Sequence, residues 1–321
     1  MMMKTSRANK ALIVGVAVLI ALNVITFIIA YPQTYTPSGG INALGAPLAK
    51  DFSAYYMGAW RLWHDPAHIY SFGALKDGEP IIRPYPEEYK YLPNFLLVVT
   101  PFLSLNYHTA LTTFDLVQLL LLPVMAFMIY KILEDKHPAI IMGVMIVALL
   151  LPFPYPNWGF SISYYWQWGE GQAKVFGIFL LLLSFYLGKL GKPIESGIAL
   201  AFGFFDPRFG LVALPLYIMY NRKKLKLATE SAVGSLVVSN LMLLYPGMAS
   251  NFSNMIFGSA VTTPLYYYAL IPLSTLLALM IANFKELIAT FDYKGIYADF
   301  TGAAKPQPKS KAPLINESST T

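Results

Sequence analysis

The sequence alternates between long apolar runs and short polar or aromatic connections. Residues 11–31 contain no charged side chain, and a helix of about 20 such residues crosses the hydrocarbon core of a membrane. Further apolar stretches follow at about 92–105, 111–130, 139–152, 173–188, 196–205, 209–220, 229–246 and 265–284. This pattern predicts an all-α, polytopic bundle of membrane helices that forms a single domain over residues 1–300.

A secretory signal peptide is the alternative interpretation of the first run, because Lys4, Arg7 and Lys10 precede it. The run is longer than the usual apolar region of about 7–15 residues, and no small-residue cleavage site follows it. We therefore expect residues 11–31 to be a true span.

Basic side chains mark one side of the predicted bundle. The connections at 131–138, 189–195 and 221–228 are short and rich in Lys and Arg, and the positive-inside rule places them in the cytoplasm. The same rule places both termini in the cytoplasm and outer loops at about 32–91, 153–172 and 247–264. The tail at 301–321 has almost no aromatic residues and is predicted to be disordered. These features predict a multi-pass protein of the cell (plasma) membrane.

Two segments cannot be simple spans in this topology. Segment 92–105 joins an outer loop to a span that ends inside, so it must dip into the membrane and return, or lie along its surface. The stretch 196–220 has basic residues on both sides, which predicts a re-entrant hairpin with Asp206, Pro207 and Arg208 at its tip. A single kinked span is the alternative. Both versions make Asp206 and Arg208 intramembrane charges, which are candidates for function.

Composition excludes several classes of protein. With 56% hydrophobic and 12% charged residues and a mean hydropathy of +0.52, the chain cannot be a soluble globule. The absence of cysteine excludes disulfide frameworks and thiolate metal sites. The basic residues behind the net charge of +6 are distributed by membrane side, so nucleic-acid binding is not needed to explain them. Glycine-rich nucleotide motifs are absent, and His64 and His68 are weak metal signals, so we expect neither a cofactor nor a metal.

The outer loops carry the candidate chemistry. Small and aromatic residues recur at helical spacing after Asp51, which predicts a short helix lying flat on the membrane with Trp and Tyr at headgroup level. Asp51 at its N-terminal end could act as a general base towards a hydroxyl, or could simply cap the helix. An enzyme of this kind needs a donor that already lies in the membrane, such as a lipid-linked phosphate sugar. Arg208 and Lys174 are the cations at membrane depth that could face its phosphate.

Several short motifs occur in one order along residues 10–225. The first comprises 51–56 (DFSAYY) with Ala59, Leu62, Asp65-Pro66 and Tyr70, and the later ones are Tyr91-Leu92-Pro93, Thr100-Pro101-Phe102, Gly171-Gln172 and the stretch from Gly197 to Pro215. This series resembles the polyprenol-phosphate-mannose-dependent mannosyltransferases of the GT-C superfamily, whose first motif is D-[FL]-x-x-Y-Y followed by A-x-x-L and D-P-Y.

The resemblance implies a GT-C-like fold and a hexosyltransferase activity. Such an enzyme moves mannose or a related hexose from a polyprenyl or dolichyl phosphate to a hydroxyl of a glycolipid or glycan at the outer leaflet. Asp51 would be its general base. Arg208 would replace the lysine of the family's Lys-Pro pair, with Asp206 orienting it. The residues that would bind the donor are Arg208, Lys174, Gln172, Asp206, Tyr55, Tyr56, Tyr91 and Arg83.

Two other functions remain open at this point. A non-catalytic structural or anchoring subunit of a larger membrane complex, for example a respiratory one, is the main alternative, because Asp206-Pro207-Arg208 stands where the family has Lys-Pro. Membrane lipids and partner subunits would then be its ligands. A transporter or lipid flippase could use the 196–220 hairpin as its midplane site, although the sequence has no pseudo-symmetric halves.

Overall fold

The computed structural model describes residues 7–34, 50–70, 89–150, 167–168, 171–254 and 265–291. These residues are helical or form turns between helices, with no strand among them. The helices are α1 (Arg7–Thr34), α2 (Lys50–His64), α3 (Asn94–Val99), α4 (Tyr107–Ile132), α5 (Pro138–Leu150), α6 (Lys174–Lys189), α7 (Pro193–Gly203), α8 (Pro207–Asn221), α9 (Leu225–Ser239), α10 (Met248–Asn254), α11 (Leu265–Ala282) and α12 (Phe284–Thr290). The predicted all-α architecture is confirmed for this part of the chain. Arg83 and the predicted disordered tail lie outside the described residues.

Two of the described helices are long and apolar enough to cross a membrane. They are α1, over Ala8–Ile28, and α4, over Tyr107–Ile132. Helices α11 and α12 make a third candidate only if they are counted together, and their axes differ by 83°. Apolar side chains of α1 such as Ile13 and Ile28 are more than half exposed, as expected of a helix that faces lipid. These features indicate a membrane protein.

The basic connections lie together at one end of the bundle, here called the basic end. The Lys189 ammonium group donates to the backbone oxygens of Lys131, at 2.8 Å, and Ile132, at 3.2 Å, so it caps the end of α4. The Arg222 guanidinium donates to the backbone oxygen of Ala289 at 3.0 Å. The turns that follow α4, α6 and α8 therefore meet beside α12. The basic character that these three turns share predicts that they lie on one side.

The opposite end, here called the aromatic end, is built from α2, α3 and the first turns of α4 and α6. Its core is a cluster of interlocking rings, including Phe52, Tyr55, Phe95, Phe114 and Phe205, each at most 2% exposed. A second core, mostly of aliphatic side chains, fills the bundle between α1, α4, α5, α6, α7, α8, α9 and α11. The buried rings therefore make the interior of the aromatic end apolar and closely packed.

Helices α7 and α8 form a hairpin that starts and finishes at the basic end. The Asn221 side-chain amide donates to the Ser196 hydroxyl at 2.9 Å, so the last residue of α8 lies beside the first turn of α7. A continuous helix would separate these residues by about 37 Å, at about 1.5 Å per residue. The hairpin interpretation is therefore correct, and the single kinked span is excluded. Its turn, at 204–206, lies at the aromatic end.

Segment 92–105 likewise starts and finishes at the aromatic end. It consists of α3 and a 3₁₀ turn at Thr100–Ser104, which are too short to cross a membrane. The Leu92 amide donates to the Phe205 oxygen at 2.9 Å, and the Tyr56 hydroxyl donates to the Leu105 oxygen at 2.8 Å. Both ends of the segment are thus held at the same side, as predicted from its place between an outer loop and a span that ends inside.

Two sequence-based expectations are wrong in detail. Helix α2 forms where predicted, but Tyr55 and Tyr56 are 1% and 6% exposed, so they pack inside the protein instead of facing lipid headgroups. The apolar stretch 229–246 is not one helix, because α9 ends at Ser239. The Asn240 side chain donates to the Leu236 oxygen at 2.9 Å and accepts from the Asn94 amide at 3.2 Å, which ties the end of α9 to α3.

Candidate functional site

Asp51 lies in the first turn of α2, where the positive end of the helix dipole favours a carboxylate. The Gln172 side-chain amide donates a hydrogen bond to its Oδ2 atom. Gln172 is 2% exposed, whereas Asp51 is only partly buried. A fixed amide thus orients a carboxylate that keeps access to the surface of the aromatic end.

Gly171 makes the approach of Gln172 to Asp51 possible. Its φ is +65°, a conformation that side chains disfavour. A Cβ atom at this position would lie 2.6 Å from the Phe52 Cβ and 2.9 Å from a methyl group of Leu111. Only glycine therefore fits where the turn before α6 passes against α2.

A chain of buried glutamines connects Gln172 to a carboxyl group inside α4. The Gln167 amide donates to the Gln172 backbone oxygen at 2.7 Å and to the Gln118 side-chain oxygen at 3.1 Å. The Gln118 amide in turn lies 3.5 Å from Oδ1 of Asp115, which is 1% exposed. The Gln167 side-chain oxygen has no hydrogen-bond partner among the described residues. This chain braces the turn that presents Gln172 to Asp51.

Tyr55 lies one turn after Asp51 on α2, and its ring packs against that of Tyr91, with centroids 5.8 Å apart. The Tyr55 hydroxyl lies close to the Tyr91 hydroxyl and the Ala173 backbone amide, without completing a well-aligned hydrogen bond within the described part of the chain. Burial raises the pKa of Tyr55, and the neighbouring ionisable groups of Tyr91 and Asp51 raise it further. Both hydroxyl groups are therefore neutral at physiological pH and can donate hydrogen bonds.

Asp206 and Arg208 form a fork at the hairpin turn. Arg208 Nε lies 2.8 Å from Oδ1 of Asp206, and Nη2 lies 2.5 Å from Oδ2. Oδ1 also accepts from the Arg208 backbone amide at 3.1 Å, so Asp206 caps α8, whose first residue is Pro207. The side chain of Asp206 is 1% exposed and that of Arg208 is 35% exposed. The buried acid therefore fixes the direction of a guanidinium group that still reaches the surface.

Tyr91 connects the two charged groups. Burial is the largest cause that raises the pKa of Tyr91, and the carboxylates of Asp206 and Asp51 raise it further, while Arg208 lowers it. The ring of Tyr91 also packs on Phe205, at 5.4 Å between centroids, directly before Asp206. Tyr91 therefore packs between α2, through Tyr55, and the hairpin turn, through Phe205.

The structure brings together six of the predicted site residues: Asp51, Tyr55, Tyr91, Gln172, Asp206 and Arg208. Tyr56 does not join them, because its hydroxyl is bound to the Leu105 oxygen and its ring packs on Phe52 and Tyr107. Lys174 opens α6 two positions after Gln172, directly beyond the turn that presents Gln172 to Asp51. Arg83 lies outside the described residues.

Sequence reasoning missed Asp115, Gln118 and Gln167. Asp115 lies within the predicted span 111–130. An acidic residue three positions before a glutamine in such a span is a recognisable signal, because these two side chains share one helix face. Gln167 could not be assigned in this way, since its loop carries no helical period.

The arrangement places a partly accessible carboxylate, neutral phenol donors and an oriented guanidinium at one end of the bundle. Such a set can accept a proton from a hydroxyl group and bind an anion. In the described ranges, no three His, Asp or Glu side chains come together to hold a metal ion. A small cavity between α6 and α11 shares no residue with this site and is lined by apolar side chains and Thr275.

Comparisons of the chain with protein-family models, with curated proteins and with solved structures give no match.

Proposed function

We propose that the chain is a GT-C-like membrane glycosyltransferase. It transfers a hexose, for which the motif resemblance indicates mannose, from a polyprenyl or dolichyl phosphate to a hydroxyl of a glycolipid or glycan. The basic end faces the cytoplasm by the positive-inside rule, so the aromatic end and the reaction lie at the outer leaflet. Both termini are then cytoplasmic.

The observation that carries the proposal is the junction of Asp51 with Arg208 through Tyr91. Tyr55, one turn after Asp51 on α2, packs on Tyr91 with ring centroids 5.8 Å apart. Tyr91 packs in turn on Phe205 at 5.4 Å, directly before the Asp206 carboxylate that binds Arg208. Displacement of a sugar from a phosphate needs both functions in one site, a base for the attacking hydroxyl and a cation for the leaving phosphate.

Asp51 acts as the general base. It accepts the proton of the acceptor hydroxyl while that oxygen attacks the anomeric carbon and the bond from this carbon to the phosphate oxygen breaks. The phosphate leaves on the polyprenol with the bonding electron pair, and the configuration at the anomeric carbon inverts in this single displacement. The hydrogen bond from Gln172 supports this role, because it holds one carboxylate oxygen and so fixes the direction of the group.

Arg208 faces the phosphate. Two of its five N–H groups bind the Asp206 carboxylate, so the others remain for a second anion. Asp206 reduces the net charge of the site but fixes the guanidinium, which lowers the entropic cost of binding. The neutral hydroxyls of Tyr55 and Tyr91 supply further donors to sugar or phosphate. Lys174 is a second candidate cation.

The experiment that tests the function is a transfer assay on the purified full chain with a polyprenyl-phosphate hexose. We expect loss of about 10²–10⁴-fold in rate for Asp51→Asn, the usual contribution of a general base. Asp65→Asn is the matched control, since Asp65 lies in the same outer segment and its carboxylate accepts from His68 Nδ1 at 2.7 Å. Equal rates for wild type and Asp51→Asn would refute the assignment.

The same preparation distinguishes the main alternative. A structural or anchoring subunit would purify from native membranes with a stoichiometric partner and would transfer no sugar from any polyprenyl-phosphate donor.

A further inference from the structure

Helix α12 lies across the basic end of the bundle. Helix α11 ends at Ala282, α12 begins at Phe284, and the two axes meet at 83°. If α11 runs along the membrane normal with the other bundle helices, α12 lies close to the plane of the membrane. Asn283, directly before α12, and Thr290, at its end, face the bundle and are both 4% exposed.

An apolar row on α12 is exposed within the part of the chain that the structure describes. Phe284, Ile288 and Phe291 are 59%, 60% and 44% exposed. Their spacing of four and then three positions places them on one helix face. A helix in the membrane plane with such a face buries it at the boundary between headgroups and acyl chains.

Positive charge borders this apolar row. Lys285 is exposed on α12 itself, and Arg222 is bound to its backbone at Ala289. Arg222 opens the basic turn Arg222–Lys224, whose other two residues are exposed. The acid of the helix, Glu286, pairs with Lys136, so Lys136, Lys285 and Glu286 together carry a net positive charge.

We propose that this α12 surface, formed by Phe284, Ile288, Phe291, Lys285 and Arg222, binds anionic phospholipids of the leaflet at the basic end. The apolar row enters the acyl boundary, and the two cations contact the phosphate of the headgroup. The combination of an in-plane helix, an exposed apolar face and adjacent cations is that of interfacial anchors selective for anionic lipid. This inference does not depend on the proposed transferase activity, because the surface lies at the other end of the bundle.

Native mass spectrometry of the full chain in mild detergent tests this proposal. The protein is titrated with phosphatidylglycerol or phosphatidylcholine, and the bound lipids are counted. We expect tighter binding of phosphatidylglycerol, by about fivefold for each of the two cations. The double variant Arg222→Gln/Lys285→Gln removes that preference, and Ile288→Ser/Phe291→Ser weakens the binding of both lipids.

Matched controls separate this site from general charge attraction. Lys10→Gln/Lys226→Gln removes the same charge from two exposed lysines at the same end of the bundle, and it leaves the preference unchanged. Arg222→Lys/Lys285→Arg keeps the charge and keeps the preference. The loss in Arg222→Gln/Lys285→Gln is then due to the missing charge and not to misfolding. Inorganic phosphate does not compete with the lipid. Equal binding of both lipids to wild type, equal losses in the two Gln variants, or displacement by inorganic phosphate would each overturn the proposal.

Discussion

Replacement of Arg208 by glutamine leaves the Asp206 carboxylate as an unpaired charge at the hairpin turn. This carboxylate is 1% exposed and makes two contacts with the guanidinium, at 2.8 and 2.5 Å. Removal of one partner of a fully buried ion pair costs about 3–5 kcal/mol. Because 35% of the Arg208 side chain is exposed, water screens part of the attraction, and we expect Arg208→Gln to lower the free energy of unfolding by about 2–3 kcal/mol.

The double variant Asp206→Asn/Arg208→Gln separates this effect from the role of Arg208 in binding. Asparagine still caps α8 and carries no charge, so the double variant should be more stable than Arg208→Gln and lose only about 1 kcal/mol. The assay is SDS titration in mixed micelles, followed by circular dichroism. Loss of less than about 0.5 kcal/mol in Arg208→Gln, the range of ordinary surface substitutions, or additive losses in the double variant, would refute the reasoning.

Three further predictions concern the segments around Asp51. Gly171→Ala places a Cβ against Phe52 at positive φ, so the same titration should show a loss of about 1–3 kcal/mol, and sugar transfer should fall. Gln118→Leu leaves the Asp115 carboxyl without its amide donor and should cost about 1–3 kcal/mol, which Asp115→Leu restores in the double variant. Tyr55→Phe removes a buried hydroxyl that has no aligned partner among the described residues, so stability should not fall while donor affinity, measured by competition binding, does. Unchanged affinity would exclude the Tyr55 hydroxyl from the site.

The arrangement of the bundle could be predicted largely from local features. Basic residues after α4, α6 and α8 indicate a shared side, and in the structure contacts of Lys189 and Arg222 hold these turns and α12 at one end. The cytoplasmic position of the basic connections also predicted that 92–105 does not cross and that 196–220 turns back. These inferences succeed because the cost of charge in lipid acts on each segment separately.

The packing of α2 and the composition of the site could be predicted only in part. Motifs indicated Asp51, Gln172 and Arg208 as candidates, but their separation along the chain gives no measure of their distance in space. Burial of Tyr56 and the bracing role of Gln167 depend on which faces of α2, α4 and α6 meet. These contacts are tertiary, so no periodicity in a single segment reveals them.

The central claim is that α2, the turn before α6 and the hairpin turn form one binding site for a polyprenyl phosphate. A photoreactive polyprenyl phosphate, with a diazirine on the isoprene unit next to the phosphate, tests this claim most directly. Peptide mapping after irradiation should find adducts within 51–56, 91–95, 172–176 and 204–208, and labelling should fall in the folded Asp206→Asn/Arg208→Gln variant. Adducts confined to other helices, or undiminished labelling of that variant, would contradict the account.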